Sequence, residues 1–254
     1  MCGRARLSYV APIFVAALGI GAIMLAMQLA DAAELPLLPG IGVVDHRVAV
    51  DPRQPPWDSI VKVQTNVGSR CTGALITPTI VLTAAHCLYN GRTRTLLQAG
   101  SIHVLLGYNR GDYRWHRVVA RYKVGSGFEG SNGGPQGSDW AQLELDGAIS
   151  GVVVPLTIAT ELPLSGAAIA LPGYNQDRAQ ILMADLTCKM IGIGKIEDAT
   201  FITHDCDATR GTSGGPLLMR QGGSWTVIGI NIGVTASVNL ALPATSLAAP
   251  GAQR

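Results

Sequence analysis

With 254 residues, 48% of them hydrophobic and only 14% charged, the chain has ample apolar surface for a packed core and is neither a disordered nor a fibrous polymer. Its formal charge of +2 is spread along the sequence without a lysine or arginine run. That excludes the electrostatic footprint of a nucleic-acid binder and leaves protein or peptide partners.

The first element is a targeting segment. Arg4 and Arg6 precede an apolar run that reaches Ala30, and Ala30, Ala32 and Ala33 supply the small residues suited to signal-peptidase cleavage. Residues 1–32 are therefore expected to be a signal peptide. An uncleaved anchor is the alternative, because about 20 apolar residues can span a bilayer. Either way the remainder is exported, secreted or periplasmic, and after signal cleavage no stable membrane association is expected. That remainder holds four cysteines, Cys71, Cys87, Cys188 and Cys206. An even count in an exported chain favours disulfides over metal binding, and no Cys-x-x-Cys pair is present. Of the three connectivities, 71 with 87 and 188 with 206 is preferred, since the first pair flanks His86 and the second precedes Ser213. Each closes a loop of roughly 15 to 20 residues and contributes up to about 3 kcal/mol.

Residues 33–56 carry Pro36, Pro39, Pro52, Pro55 and Pro56, which predicts an irregular lead-in or a removable propeptide. From Trp57 onward come short β-favouring runs at 60–64, 74–77, 80–82 and 102–106. A seam at 146–151 separates 57–148 from 149–242, where further runs lie at 168–171, 186–191, 200–203, 216–219 and 227–232. With 31 glycines and no long amphipathic helix, the pattern predicts an all-β fold of antiparallel barrels or a sandwich. Residues 243–254, rich in Ala, Pro and Ser, read as a flexible tail.

Three fragments carry chemistry. Ser213 sits in Gly211-Thr212-Ser213-Gly214-Gly215-Pro216, His86 in Thr83-Ala84-Ala85-His86-Cys87, and Asp139 in Ser138-Asp139-Trp140-Ala141. A serine hydroxyl is a weak nucleophile until an imidazole takes its proton, and a carboxylate fixes the tautomer of that imidazole. Glycines around Ser213 let the amides of Gly211 and Ser213 stabilise a developing oxyanion. Each fragment alone is a common turn, structural histidine or surface acid. The three together, in the order His, Asp, Ser, point to acyl transfer. An esterase of the α/β-hydrolase type uses a different order. No cofactor or metal is called for: His46, His103 and His116 are scattered without zinc-site spacing. Gly192-Ile193-Gly194-Lys195 lacks the Ser/Thr and helix of a phosphate loop.

These three fragments resemble the catalytic signatures of trypsin- and chymotrypsin-like serine proteases, over about residues 57–242. The resemblance implies two antiparallel six-stranded β-barrels with the site between them, His86 and Asp139 from the first and Ser213 from the second. It also implies a serine endopeptidase; a monomer is expected, and a catalytically silent binding protein on that fold is the alternative. The likeness is greater to bacterial secreted members, including glutamyl-endopeptidase-like ones. Thr212 stands where animal digestive enzymes carry the aspartate that binds a newly cut amino terminus, and Gly42 to Val48 lacks their Ile-Val-Gly-Gly start. Cleavage after Arg47 is one expectation for the mature terminus.

For specificity the resemblance offers two readings. Asp207, six residues before Ser213, holds the position of a carboxylate that pairs with substrate Arg or Lys. His204 offers acidic-residue selection, although relatives of that kind use a later strand, where Asn231 and Gly233 stand. A capping or scaffold role for Asp207 and His204 beside the disulfide is the third reading.

Overall fold

The computed structural model describes residues 39–130, 135–151, 153–234 and 238–247. The expected signal peptide and the tail beyond residue 247 lie outside them. Among the described residues there are seventeen strands, six short 3-10 turns and no α-helix, and no helix is long and apolar enough to cross a membrane.

The lead-in forms β1 (Arg47–Ala49). There follow β2 (Ile60–Thr65), β3 (Arg70–Thr77), β4 (Ile80–Thr83), the small pair β5 (Tyr89–Asn90) and β6 (Thr95–Leu96), then β7 (Ile102–Leu106), β8 (Trp115–Val124) and β9 (Ala141–Leu145). Six of these close a barrel in the order β2-β3-β4-β9-β8-β7, every pair antiparallel. Val61, Val63, Leu75, Val81, Val104, Leu106, Val119 and Leu143 fill it. The runs read from sequence at 60–64, 74–77, 80–82 and 102–106 lie in strands because their β-branched and apolar residues fit a pleated, buried surface, whereas 168–171 and 186–191 become strand only at Leu171 and at Met190–Ile191. Strand β2 is buried on both faces: Val61 and Val63 point into the barrel, whereas Ile60 packs with residues of the second half.

The second half comprises β10 (Thr157–Ile158), β11 (Leu171–Gly173), β12 (Met183–Asp185), β13 (Met190–Ile196), β14 (Ala199–His204), β15 (Pro216–Gln221), β16 (Ser224–Val234) and β17 (Asn239–Pro243). One sheet runs β10-β16-β17-β14-β13 with β15 added on β16, and a second runs β1-β12-β11. Isolated bridges Ala168↔Lys189 and Ala170↔Leu218 join the segment before β11 to these strands. A cluster shared by the two halves unites Ile60, Ala74, Leu105 and Tyr108 with Leu156, Tyr174, Leu182, Leu218 and Val227. Burying such side chains is worth about 1.5–3 kcal/mol each, so this layer fixes the seam on which the site sits.

Two sequence expectations are corrected. The lead-in is not irregular throughout: β1 pairs antiparallel with β12, placing Arg47 opposite Asp185. Residues 243–247 are not loose. Pro243 ends β17 and a 3-10 turn, Ala244–Ser246, follows. Leu247 is buried against Leu82, Phe201, Ile230 and Leu242.

Candidate active site

Strands β4 and β9 pair with Thr83 opposite Ala141, which sets the residues just beyond Thr83 beside those just before Ala141. His86 lies in the 3-10 turn Ala85–Leu88, and Asp139 follows the turn Gln136–Ser138. The two make a double contact. The His86 backbone N–H donates to Asp139 Oδ1 at 2.8 Å, and ring Nδ1 lies 2.7 Å from Oδ2. A carboxylate accepts only, so Nδ1 carries the proton and Nε2 is left as the basic nitrogen. Both side chains are 21% exposed, enough to meet a substrate.

Ser213 comes from the turn before β15, flanked by Gly211 at φ 93° and Gly214 at φ 78°. Both glycines are required. A Cβ on Gly214 would overlap Thr83 Oγ1 and the Thr72 carbonyl, and one on Gly211 would overlap the Tyr174 carbonyl. With no side chain at Gly211 or Gly214, this turn presses against the first barrel. The Thr72 N–H donates to the Ser213 carbonyl at 2.9 Å, and Thr72 Oγ1 donates to the Gly211 carbonyl at 2.8 Å. The Cys71–Cys87 disulfide is formed, and Cys87 Sγ lies 3.8 Å from the Ser213 carbonyl oxygen, which makes Ser213 a neighbour of the residue that follows His86.

The Ser213 hydroxyl makes no hydrogen bond among the described residues, with His86 or otherwise. The N–H groups of Gly211 and Ser213 also have no acceptor there, whereas those of Thr212, Gly214 and Gly215 donate to Thr209, Asn231 and Thr212 carbonyls. Unsatisfied donors beside a serine hydroxyl are the arrangement an oxyanion site would require.

A cavity of about 550 Å³ opens beside Ser213, walled by Pro39, Asp177, Thr209, Arg210, Asn231 and Gly233 among others. Asn231 and Gly233, named from the sequence, line it; Asp207 and His204 do not. Asp207 is 3% exposed, and its Oδ1 accepts the Gly42 N–H at 2.6 Å. Its Oδ2 accepts the His46 N–H at 2.8 Å and ring Nδ1 at 2.9 Å. The lead-in thus takes both oxygens, and the expectation that Asp207 pairs with a substrate cation is replaced by the capping reading. His204 is fully buried and neutral, because burial pushes its pKa down to about 4. Its Nε2 contacts Asn231 Oδ1 at 3.2 Å, so it braces Asn231 and does not itself meet the cavity. The Cys188–Cys206 disulfide is formed beside them.

Arg47 is equally committed. Its guanidinium bonds both oxygens of Asp45 and both of Asp177, at 2.8–2.9 Å. Burial opposes its charge, but the two carboxylates outweigh that and raise its pKa further, while the hydrogen bonds from Arg47 hold Asp45 and Asp177 below the usual carboxylate range. Cutting after Arg47 would require release of this strand and both ion pairs.

Sequence reasoning missed Thr72 and Asn175. Asn175 Oδ1 accepts the Thr212 hydroxyl at 2.8 Å and the Thr209 N–H at 2.9 Å, so Thr212 is engaged inside the serine turn. Neither residue stands in a motif. Only their distance-spanning bonds reveal them.

Comparison with known proteins identifies the family and the fold. The family model described as Trypsin matches residues 44–245. Glutamyl endopeptidase of Bacillus licheniformis is 28% identical over 179 residues, covering 70% of this chain. The chain spans 54% of that relative's length. Trypsin alpha-4 of Lucilia cuprina is 25% identical over 186 residues, covering 64% of this chain and 68% of its own. A solved structure of Glu endopeptidase in complex with MPD superposes with a TM-score of 0.67 at 24% identity, covering 82% of this chain and 94% of that one, a likeness of fold. The chain belongs to the trypsin family of serine proteases, with an all-β fold of the chymotrypsin type.

Proposed function

We propose that the protein is an exported serine endopeptidase acting through an acyl-enzyme on Ser213. His86 Nε2 takes the hydroxyl proton as Ser213 Oγ attacks the carbonyl carbon, and returns it to the leaving amine. Asp139 holds the tautomer and stabilises the transient imidazolium. The Gly211 and Ser213 N–H groups bind the oxyanion. A water then repeats the sequence to release the acid. The observation that carries this reading is the double His86–Asp139 contact in a seam where the Ser213 turn is hydrogen bonded to Thr72. Export is supported by the two disulfides, which persist in oxidising compartments.

On the acyl side, the site favours an acidic over a basic side chain. Asp207 is closed by the lead-in, Asp177 is neutralised by Arg47, and Arg210, a cation without an ion-pair partner among the described residues, lines the cavity. A relative named glutamyl endopeptidase points the same way. Mapping the bonds cut in a mixed peptide library tests this: cuts after Glu or Asp are expected, and cuts concentrated after Arg or Lys would overturn it. The unmade Ser213–His86 hydrogen bond favours the second reading, a silent binding protein. Catalytic hydrogen bonds often tighten only when substrate is bound, so the active reading is preferred.

A further inference from the structure

Arg210 also borders a second cavity, of about 220 Å³, lined by Arg70, Tyr174, Gln176, Ala179 and Gly211. Neither arginine side chain has a hydrogen-bond or ion-pair partner among the described residues. Behind the wall lies a third cation. Lys62 is 1% exposed, and its ammonium donates to the Ala179 carbonyl at 2.8 Å. It also sits 3.7 Å from the Tyr108 ring centroid and 5.7 Å from that of Tyr174. On the β2–β3 ladder Arg70 faces Gln64, two residues from Lys62, so the two cations are diagonal neighbours. Burial, and then repulsion from Arg70, lower the Lys62 pKa to about 8. A buried ammonium without a carboxylate is costly, and here it stands behind two further uncompensated cations. Their fields add in a concavity of side-chain size, which suits an anion.

The position of the cavity says where that anion comes from. Gly211 lines it, so it adjoins the oxyanion donors. Arg70 precedes Cys71, whose disulfide partner Cys87 follows His86. The imidazole delivers its proton to the leaving amine, so the peptide beyond the cut bond departs on this side, while the acyl side meets the Asn231–Gly233 wall of the larger cavity. Resting on the proposed endopeptidase reading, we infer that this cavity is a subsite for an Asp or Glu side chain one or two residues beyond the scissile bond, bound by the guanidinium groups of Arg70 and Arg210.

The test uses paired peptides identical on the acyl side and carrying Glu or Gln at the first or second position beyond the cut. In the full protein at low salt, kcat/KM for the better Glu peptide is expected to exceed that of its Gln partner about tenfold, as for a charge-assisted contact. The ratio falls to about threefold in Arg70→Gln and to about one in Arg70→Gln/Arg210→Gln. It also falls with added salt. Because the ratio is read within each variant, general losses of turnover cancel. Fluorescence anisotropy of labelled peptides that begin just beyond the cut, and so contain no scissile bond, gives the same comparison without catalysis. Turnover with no Glu over Gln difference in the unaltered protein overturns the subsite and leaves the endopeptidase reading standing. Glu-selective binding lost in the double variant, with no cleavage of any peptide, sustains the anion site and overturns the endopeptidase reading. A Glu preference undiminished in the double variant overturns the assignment to these arginines.

Discussion

The Asp207 carboxylate is held by His46 through both its backbone N–H and its ring, at 2.8 and 2.9 Å. Asp207 is therefore an anchor for the lead-in. The same residue also donates its own N–H to Asp185 Oδ2 at 2.9 Å, so lead-in, β12 and the loop before Ser213 form one bonded unit.

This anchor carries a pH signature. The hydrogen bond to Asp207 raises the His46 pKa above its ordinary value near 6.5. The folded state binds a proton that the unfolded state has released, so the contribution is complete below about pH 6.5 and is lost as pH rises through the folded value. The melting temperature of the unaltered protein should exceed that of His46→Gln by more at pH 5.5 than at pH 9. An equal difference at both values would contradict the protonated contact.

Thr72 links the halves of the site. Its hydroxyl donates to Gly211 O and accepts the buried Tyr174 N–H at 2.9 Å. Thr72→Val keeps the shape and removes both bonds, leaving a buried donor unpaired at a cost of about 1–3 kcal/mol. The expected outcome is a lowered melting temperature and a fall of about tenfold in kcat/KM, because the oxyanion turn is loosened. Unchanged peptide hydrolysis would show that Thr72 does not position that turn.

Lys62 should destabilise the fold while it is charged. Its folded pKa of about 8 lies below the ordinary 10.5, so the unfolded chain holds more protons between those values and stability rises with pH across them. The penalty below pH 8 is up to about 3 kcal/mol. Lys62→Met should be more stable than the unaltered protein at pH 7, and the gap should shrink by pH 10. Denaturant titrations at the two pH values measure it. A less stable Lys62→Met at pH 7 would mean that the contacts with Ala179 and Tyr108 outweigh the burial cost.

Much of the architecture was legible because it is local. Runs such as Ile60 to Val63 and Ile80 to Leu82 are β-branched and apolar, and each became a strand. Strand β8 escaped notice since Trp115–Val124 is mostly exposed or half-buried, with no clean alternation for a reader to follow. The three chemical fragments were legible because each is contiguous in sequence. Asp207 misled because spacing from Ser213 says nothing about what else reaches it: its partners Gly42 and His46 lie 165 and 161 residues away. The same holds for Thr72, 139 residues from the Gly211 carbonyl it supports. The cationic cavity joins Arg70, from the first barrel, with Arg210, from the serine turn, and no sequence window contains both.

The triad is tested most directly by a fluorophosphonate, which forms a covalent bond only with a serine whose proton is taken by a base. Mass spectrometry of the folded, disulfide-bonded protein after treatment should find the adduct on Ser213. Adduct formation should be about a thousandfold slower or more in His86→Ala at the same pH. Labelling that is absent from the folded protein, or that proceeds equally fast without His86, would contradict a His86–Asp139–Ser213 catalytic unit.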